Sequence, residues 1–322
     1  MPASYVHQCV ASDALAKLKV IPDKLLTEAV LAGSEGPDPL FFTLHTKKGQ
    51  QAPPEVGHLL HKERTGAFLK ALITGAGQNS VLQSFVYGFL AHYATDTVCH
   101  PYVYSKSFNS DGSYNGNKHC KFEHVLEVLL YRTQGHNTGL PLQMGGYKGL
   151  SKSEKKQIAG LFASAINATF PEHKLTEKAV FKSFKDSILN CDLLRFFGKK
   201  KHSLVLSIVS KTPAAGLIDS HSIPNIPLSA MEEGKPFSIS GFTWETLANR
   251  EKLEWRSYWE PDKPRNESFS ELYDSATERS VSFITAAVRF FDKQCEIDDV
   301  MAIIGDMCYD SGIAWEKTAR LE

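Results

Sequence analysis

Along most of the chain apolar residues recur at helical spacing, three and four positions apart, and strict alternation is rare. Val6 to Ala32 reads as helix, with Val10, Leu15, Leu18, Val20, Leu25, Leu26, Val30 and Leu31 supplying apolar positions, interrupted at Pro22. Gly57–Ala76 gives a second amphipathic stretch with Leu60, Ala67, Phe68, Ala71 and Leu72 inward, closed by the turn formers Gly75–Asn79. Phe85–Tyr104 is the third. Lys118–Arg132, with Val125, Leu126, Leu129 and Leu130 buried, is the fourth. Ser151–Phe170, Leu175–Phe197 and Phe269–Gln294 continue the 3.6-residue period, and Ser151 with Glu154 predicts a capping box. Glycine, proline and small polar residues mark connections at Gly33–Phe42, Gln50–Gly57, Ser105–Asn117, Gln134–Gly149 and Thr212–Phe242. The pattern predicts an all-α, multi-helix bundle. The glycine-rich stretch before Leu150 divides it into a helical domain over 1–149 and a helical extension over 150–322 that packs on it. Trp244, Trp255 and Trp259 are expected to cover helices of the first half.

Charge changes this picture little. Lys and Arg number 36 and so do Asp and Glu, so no net field draws in nucleic acid or an anionic membrane. No aromatic-basic interleaved stretch speaks for single-stranded nucleic acid either. The opening M-P-A-S-Y-V-H-Q lacks a basic and then apolar leader, which points to the cytoplasm, and no apolar run approaches the ~20 residues of a membrane span. The six cysteines are scattered, as expected of reduced thiols.

The candidate chemistry lies where polar residues interrupt apolar faces. His92, Asp96 and His100 recur at every fourth position of the third stretch, and each such step turns a helix by only about 40°. They share one stripe with Phe85, Gly88 and Phe89 and therefore face the interior. Two imidazoles and a carboxylate buried without partners would cost several kcal/mol. A divalent metal offsets that cost, because imidazole nitrogen and carboxylate oxygen are both zinc ligands. Pro101 is expected to stop the helix and leave His100 at an exposed end. His119 and Glu123 repeat the four-residue spacing, whereas His124 is expected to point to solvent. Asp38 stands between Pro37 and Pro39, which favours extended backbone and a rigidly presented carboxylate. His58 and His61 lie near one helical face, and either could be a ligand. His7 stands near the chain start. A catalytic zinc takes three protein ligands, so this many histidines and carboxylates imply a multinuclear site, the kind that hydrolyses phosphate esters.

The order and local patterns resemble the zinc-dependent phospholipase C family. The residues that carry the resemblance are Met1-Pro-Ala-x-Tyr-x-His7, Gly36-Pro-Asp38, Gly57-x-x-x-His61, Gly88-Phe-x-x-His92-x-x-x-Asp96-x-x-x-His100-Pro and His119-x-x-x-Glu123, within the first 130 or so residues. The resemblance implies an all-helical fold and a site for two or three zinc ions. It implies Asp38, His61, His92 and Asp96 at one ion, and His100, His119 and Glu123 at a second. It implies His7, Asp96 and the N-terminal amine and carbonyl at a third. Loss of Met1 would supply the Pro2 amine for that last set. The resemblance also makes Asp38 the general base, a phospholipid or other phosphodiester the substrate, and the head-group phosphodiester the bond cleaved. Single-strand-specific zinc nucleases share that fold and site, so a nuclease or small-molecule phosphodiesterase is the alternative. A non-catalytic protein with a structural zinc cluster is the other.

Overall fold

The computed structural model describes residues 4–19, 24–43, 50–136, 144–199 and 247–318. In these the chain is mostly helical. In order run α1 (Ser4–Lys17), α2 (Thr27–Gly33), a 3-10 turn (Asp38–Phe42), α3 (Pro53–Lys62), α4 (Thr65–Ala76), α5 (Ser80–Ser105), α6 (Gly116–Thr133), α7 (Gly145–Gly149), α8 (Lys152–Thr169) and α9 (Glu177–Lys199). Then follow strands β1 (Trp255–Ser257) and β2 (Glu260–Arg265) and helices α10 (Phe269–Phe291), α11 (Ile297–Ile304) and α12 (Trp315–Thr318). Residues Val20 and Pro22, residues 137–143 within Gln134–Gly149 and all of Thr212–Phe242, read above as parts of a helix or as connections, lie outside the described residues. The chain divides into two units. A helical unit holds His7–His100, Met144–Ile188 and Tyr273–Glu322, and a hairpin unit holds Met1–Val6, Pro101–Gln143 and Leu189–Leu272.

In the helical unit α4 packs on α8, α2 on α7, and α3 on the 3-10 turn. Phe68, Phe85, Phe89 and Phe162 interlock with ring centroids 5.5–5.9 Å apart in their closest pairs, and Phe184 and Tyr147 extend the cluster. On its other side α5 meets α10 through stacked Tyr93 and Phe283, and Arg279 donates to the Thr97 hydroxyl. At its crossing with α2, a β-carbon on Gly88 would fall 1.9 Å from the Val30 carbonyl oxygen, so only glycine lets the two backbones touch. The capping box at Ser151 forms in full: Glu154 N–H donates to Ser151 Oγ, and Ser151 N–H to the Glu154 carboxylate.

Two local expectations change. Gly57–Ala76 is two helices. The first begins earlier, with Pro53 at its first position, where the missing N–H costs nothing. The break falls at Arg64, whose φ of 54° is left-handed, and the Asp306 carboxylate accepts the Gly66 N–H at the start of the second. The restart shifts the helical phase, so Phe68, Leu69, Leu72 and Ile73 are buried while Ala67 is exposed. Second, α5 does not stop at Pro101 but runs on to Ser105, and His100 is buried. A proline inside a helix costs about 3 kcal/mol. Burial of Tyr102 and Val103 in the following turn outweighs it.

In the hairpin unit β1 and β2 pair antiparallel, Trp255 opposite Arg265, a small departure from an all-helical chain. Trp255 lies edge-on to Tyr102 at 5.1 Å, and Trp259 to Tyr104 at 4.6 Å. Both tryptophans thus cover the end of α5, as expected; Trp244 lies outside the described residues. The loop before α6 closes through a bridge between Phe108 and Tyr114, and the Asn115 side chain caps α6 by accepting from Lys118 N–H. Among the described residues no helix is long and apolar enough to cross a membrane.

Candidate metal centre

Three helices and the 3-10 turn of the helical unit bring six of the expected residues together. On α5, His92 Nε2 lies 2.9 Å from Asp96 Oδ2 and His100 Nε2 lies 3.5 Å from Asp96 Oδ1. From α1, His7 Nε2 reaches Asp96 Oδ1 at 3.2 Å, and its ring stacks on His92 at 4.2 Å. Asp38 Oδ1 lies 3.1 Å from His61 Nε2 on α3, and its Oδ2 lies 3.8 Å from His92 Nε2. None of the six is more than 6% exposed. Two groups have ligand atoms within 4.8 Å of one another and share His92: His7, His92 and Asp96, and Asp38, His61 and His92. His58 is exposed and rests against Phe41.

The way each carrier folds explains the convergence. Asp38 does not sit in extended backbone; it opens the 3-10 turn. Successive three-residue bonds, Gly36 N–H to Gly33 O, Asp38 N–H to Glu35 O and Leu40 N–H to Pro37 O, wind the segment tightly enough to overcome the preference of a residue before proline. Its side chain caps nothing and is left for the site. Gly36 permits the approach: its φ is +56°, and a β-carbon there would fall 2.2 Å from His92 Cδ2.

The imidazoles share one orientation. The Nδ1 of His61 faces the Gly57 carbonyl at 2.8 Å, that of His92 the Ser34 carbonyl at 2.9 Å, and that of His100 the Tyr309 carbonyl at 3.2 Å. A carbonyl only accepts, so each Nδ1 carries the proton and each Nε2 presents a lone pair when the ring is neutral. Those lone pairs face carboxylate oxygens. Both oxygens of Asp38, Oδ2 of Asp96 and Nε2 of His92 are buried and make no hydrogen bond among the described residues. At such distances the two atoms need a positive charge between them, a proton on Nε2 or a metal ion in its place. The electrostatics carry the same message. Burial disfavours a charged His92, yet Asp96 and Asp38 outweigh it and raise its pKa above 6.5. Burial likewise opposes the Asp96 carboxylate, but His100, His92 and His7 hold its pKa well below 3.8. Burial and the neighbouring His92 lower the pKa of His7. The donor set of imidazole and carboxylate fits zinc.

In the hairpin unit His119 Nε2 lies 3.3 Å from Glu123 Oε1, one turn apart on α6, and Tyr104 lies edge-on to the His119 ring at 4.8 Å. His124 is buried, not solvated, with Nδ1 3.5 Å from Glu127 Oε2. The reason is that α6 is buried all round from Phe122 to Leu129 and leaves no solvent face there. The N-terminal amine and carbonyl expected at a third ion fall on residues 1–3, outside the described ones.

Sequence reasoning missed Tyr309. Its carbonyl holds His100, its N–H donates to the His61 carbonyl at 2.9 Å, and its ring lies 5.1 Å from His61 and 5.8 Å from His92. A contact spanning 209 positions leaves no periodic trace in the chain.

A family model described as zinc dependent phospholipase C matches residues 6–180, past Gly149 and through α8. No curated protein and no solved structure matches the chain.

Proposed function

The chain belongs to the zinc-dependent phospholipase C family, and from that premise we propose that it is a zinc-dependent phosphodiester hydrolase that cleaves the head-group phosphodiester of a phospholipid. The observation that carries the proposal is the set of buried imidazoles, three of them fixed at Nδ1 by backbone carbonyls, whose Nε2 atoms converge on the Asp38 and Asp96 carboxylates. In this reading Asp38, His61, His92 and Asp96 hold one ion, and Asp96 extends to a further ion with His7. Of the residues expected around a second ion, His119 and Glu123 offer an imidazole and a carboxylate from one helical turn in the hairpin unit. His100 offers its Nε2 in the helical unit. Zinc, when bound, supplies Lewis acidity to a phosphoryl oxygen and lowers the pKa of a coordinated water toward neutrality.

The chain's own residues do the rest. Asp38, rigid at the start of its 3-10 turn, takes the proton of the attacking water as general base. Water oxygen bonds to phosphorus, the bond from phosphorus to the glycerol oxygen breaks with its electron pair on that oxygen, which takes up a proton from solvent, and diacylglycerol and a phosphorylated head group leave. Asp38 then returns its proton to solvent.

The test pairs metal analysis with release of product from phosphatidylcholine, bis-p-nitrophenyl phosphate and single-stranded DNA. The expected result is bound zinc and turnover of phosphatidylcholine that a chelator abolishes and zinc restores. Turnover of DNA alone would make the protein a nuclease. No turnover at full zinc occupancy would make the cluster structural.

A further inference from the structure

The family match ends at residue 180, yet part of the centre's support comes from far beyond it. The segment Cys308–Asp310 touches three of the histidines at once. Tyr309 N–H and Cys308 Sγ both reach the His61 carbonyl, at 2.9 and 3.3 Å. The Tyr309 carbonyl accepts from His100 Nδ1, and Asp310 Oδ1 lies 3.8 Å from the same nitrogen. The Tyr309 ring, wholly buried, packs against His61, His92 and Tyr93. The segment is itself pinned. Met307 N–H donates to the Tyr93 hydroxyl at 2.8 Å, Cys308 N–H to the Ile313 carbonyl, and Gly312 N–H to the Cys308 carbonyl.

We infer that this segment is a positioning clamp for the metal centre, with Tyr309 as its key residue. It holds His100 in the Nδ1–H tautomer, fixes the helix end that carries His61, and sets the ring planes of His61 and His92. The inference rests on the zinc reading above and gives a role in it to a stretch outside the family match. Groups that orient metal-binding histidines typically change metal affinity about 10–100-fold when removed. A clamp acts through the rate at which the ion leaves. A merely structural side chain acts through the stability of the metal-free fold.

Two measurements on the full chain separate these roles in the parent, Tyr309→Ala, Tyr309→Phe and Asp310→Asn. One is the rate of zinc transfer from the loaded protein to a chromophoric chelator, set beside thermal unfolding of the metal-stripped protein. The other is the His100 tautomer of the metal-stripped protein by nitrogen-15 NMR. Tyr309→Ala is expected to release zinc about 10–100-fold faster and to lose the single His100 tautomer. Tyr309→Phe, which keeps the ring, should behave as the parent, and Asp310→Asn should release zinc severalfold faster. Should Tyr309→Ala not fold, Tyr309→Leu, which fills the volume without an aromatic plane, takes its place. Parental release rates and an unchanged tautomer in all variants would overturn the clamp while leaving the zinc reading intact. A parent that binds no zinc would overturn that reading, and the tautomer alone would then decide the clamp.

Discussion

Asp96 has three imidazoles within 3.5 Å of its two oxygens, more than any other carboxylate of the helical unit's site. Replacing it with asparagine keeps the shape and removes the charge. Asp96→Asn is therefore expected to bind fewer zinc ions, by more than one, and to lose activity by roughly 10²-fold or more, since positioned acid-base and metal-binding groups contribute on that scale. Metal analysis of the purified variant checks this, and full zinc content would remove Asp96 from its bridging role. His92 sets a pH dependence. In the metal-stripped protein its raised pKa contributes stability that is complete below 6.5 and is lost as pH rises through the folded value. His7, with a lowered pKa, is neutral in both states well above 6.5 and does not contribute there. The metal-stripped protein is thus expected to melt at lower temperature as pH rises above 6.5. Zinc affinity should climb over the same range, because the metal no longer competes with the His92 proton. Melting and zinc titration in parallel at several pH values read both trends, and trends of the same sign would contradict the assignment.

The elements matter through where they touch. At Gly88 the backbones of α2 and α5 are in contact, and α2 leads directly into the turn that carries Asp38. Gly88→Ala is expected to push α2 outward at a cost of about 1–3 kcal/mol and to weaken zinc binding along with stability. Ser151→Ala removes the cap of α8, which holds no candidate ligand. It should cost about 1 kcal/mol and leave zinc affinity unchanged. Denaturant unfolding and zinc titration of the two variants separate a helix contact that shapes the site from one that only adds stability. Helix α5 shows how far local rules reach. Its hydrophobic period and its His–Asp–His spacing were legible, because both follow from 3.6 residues per turn. Its continuation past Pro101 was not, because burial of Tyr102 and Val103 decides it. The break at Arg64 was hidden for a similar reason: the carboxylate that satisfies the new helix start is Asp306, 240 positions away.

At the scale of the whole chain, a metal that binds the folded state and not the unfolded one raises stability with its concentration, by about 4 kcal/mol at a thousand times Kd. Chelation is expected to lower the melting temperature, and added zinc to restore it in proportion to the logarithm of free zinc. A melting temperature indifferent to zinc would mean that the centre does not bind it. His92, Asp96, His100, His119 and Glu123 could be read from the sequence because His, Asp and Glu at four-residue spacing betray a helical face whatever packs on it, whereas His7, Asp38 and His61 carry no such period and entered through the family resemblance. The groups that orient them could not. The carbonyls of Ser34 and Gly57 belong to residues with no chemical signature, and the burial of His124 follows from α6 being enclosed on every side. Tyr309 bears a further consequence. Its contact with His61 joins positions made far apart in time on the ribosome. During synthesis the early histidines emerge long before their last support, so the pocket stays incomplete until the stretch that carries Tyr309 has emerged as well. Nascent chains stalled short of Tyr309 are therefore expected to give zinc up readily, and chains stalled beyond it to hold the ion longer.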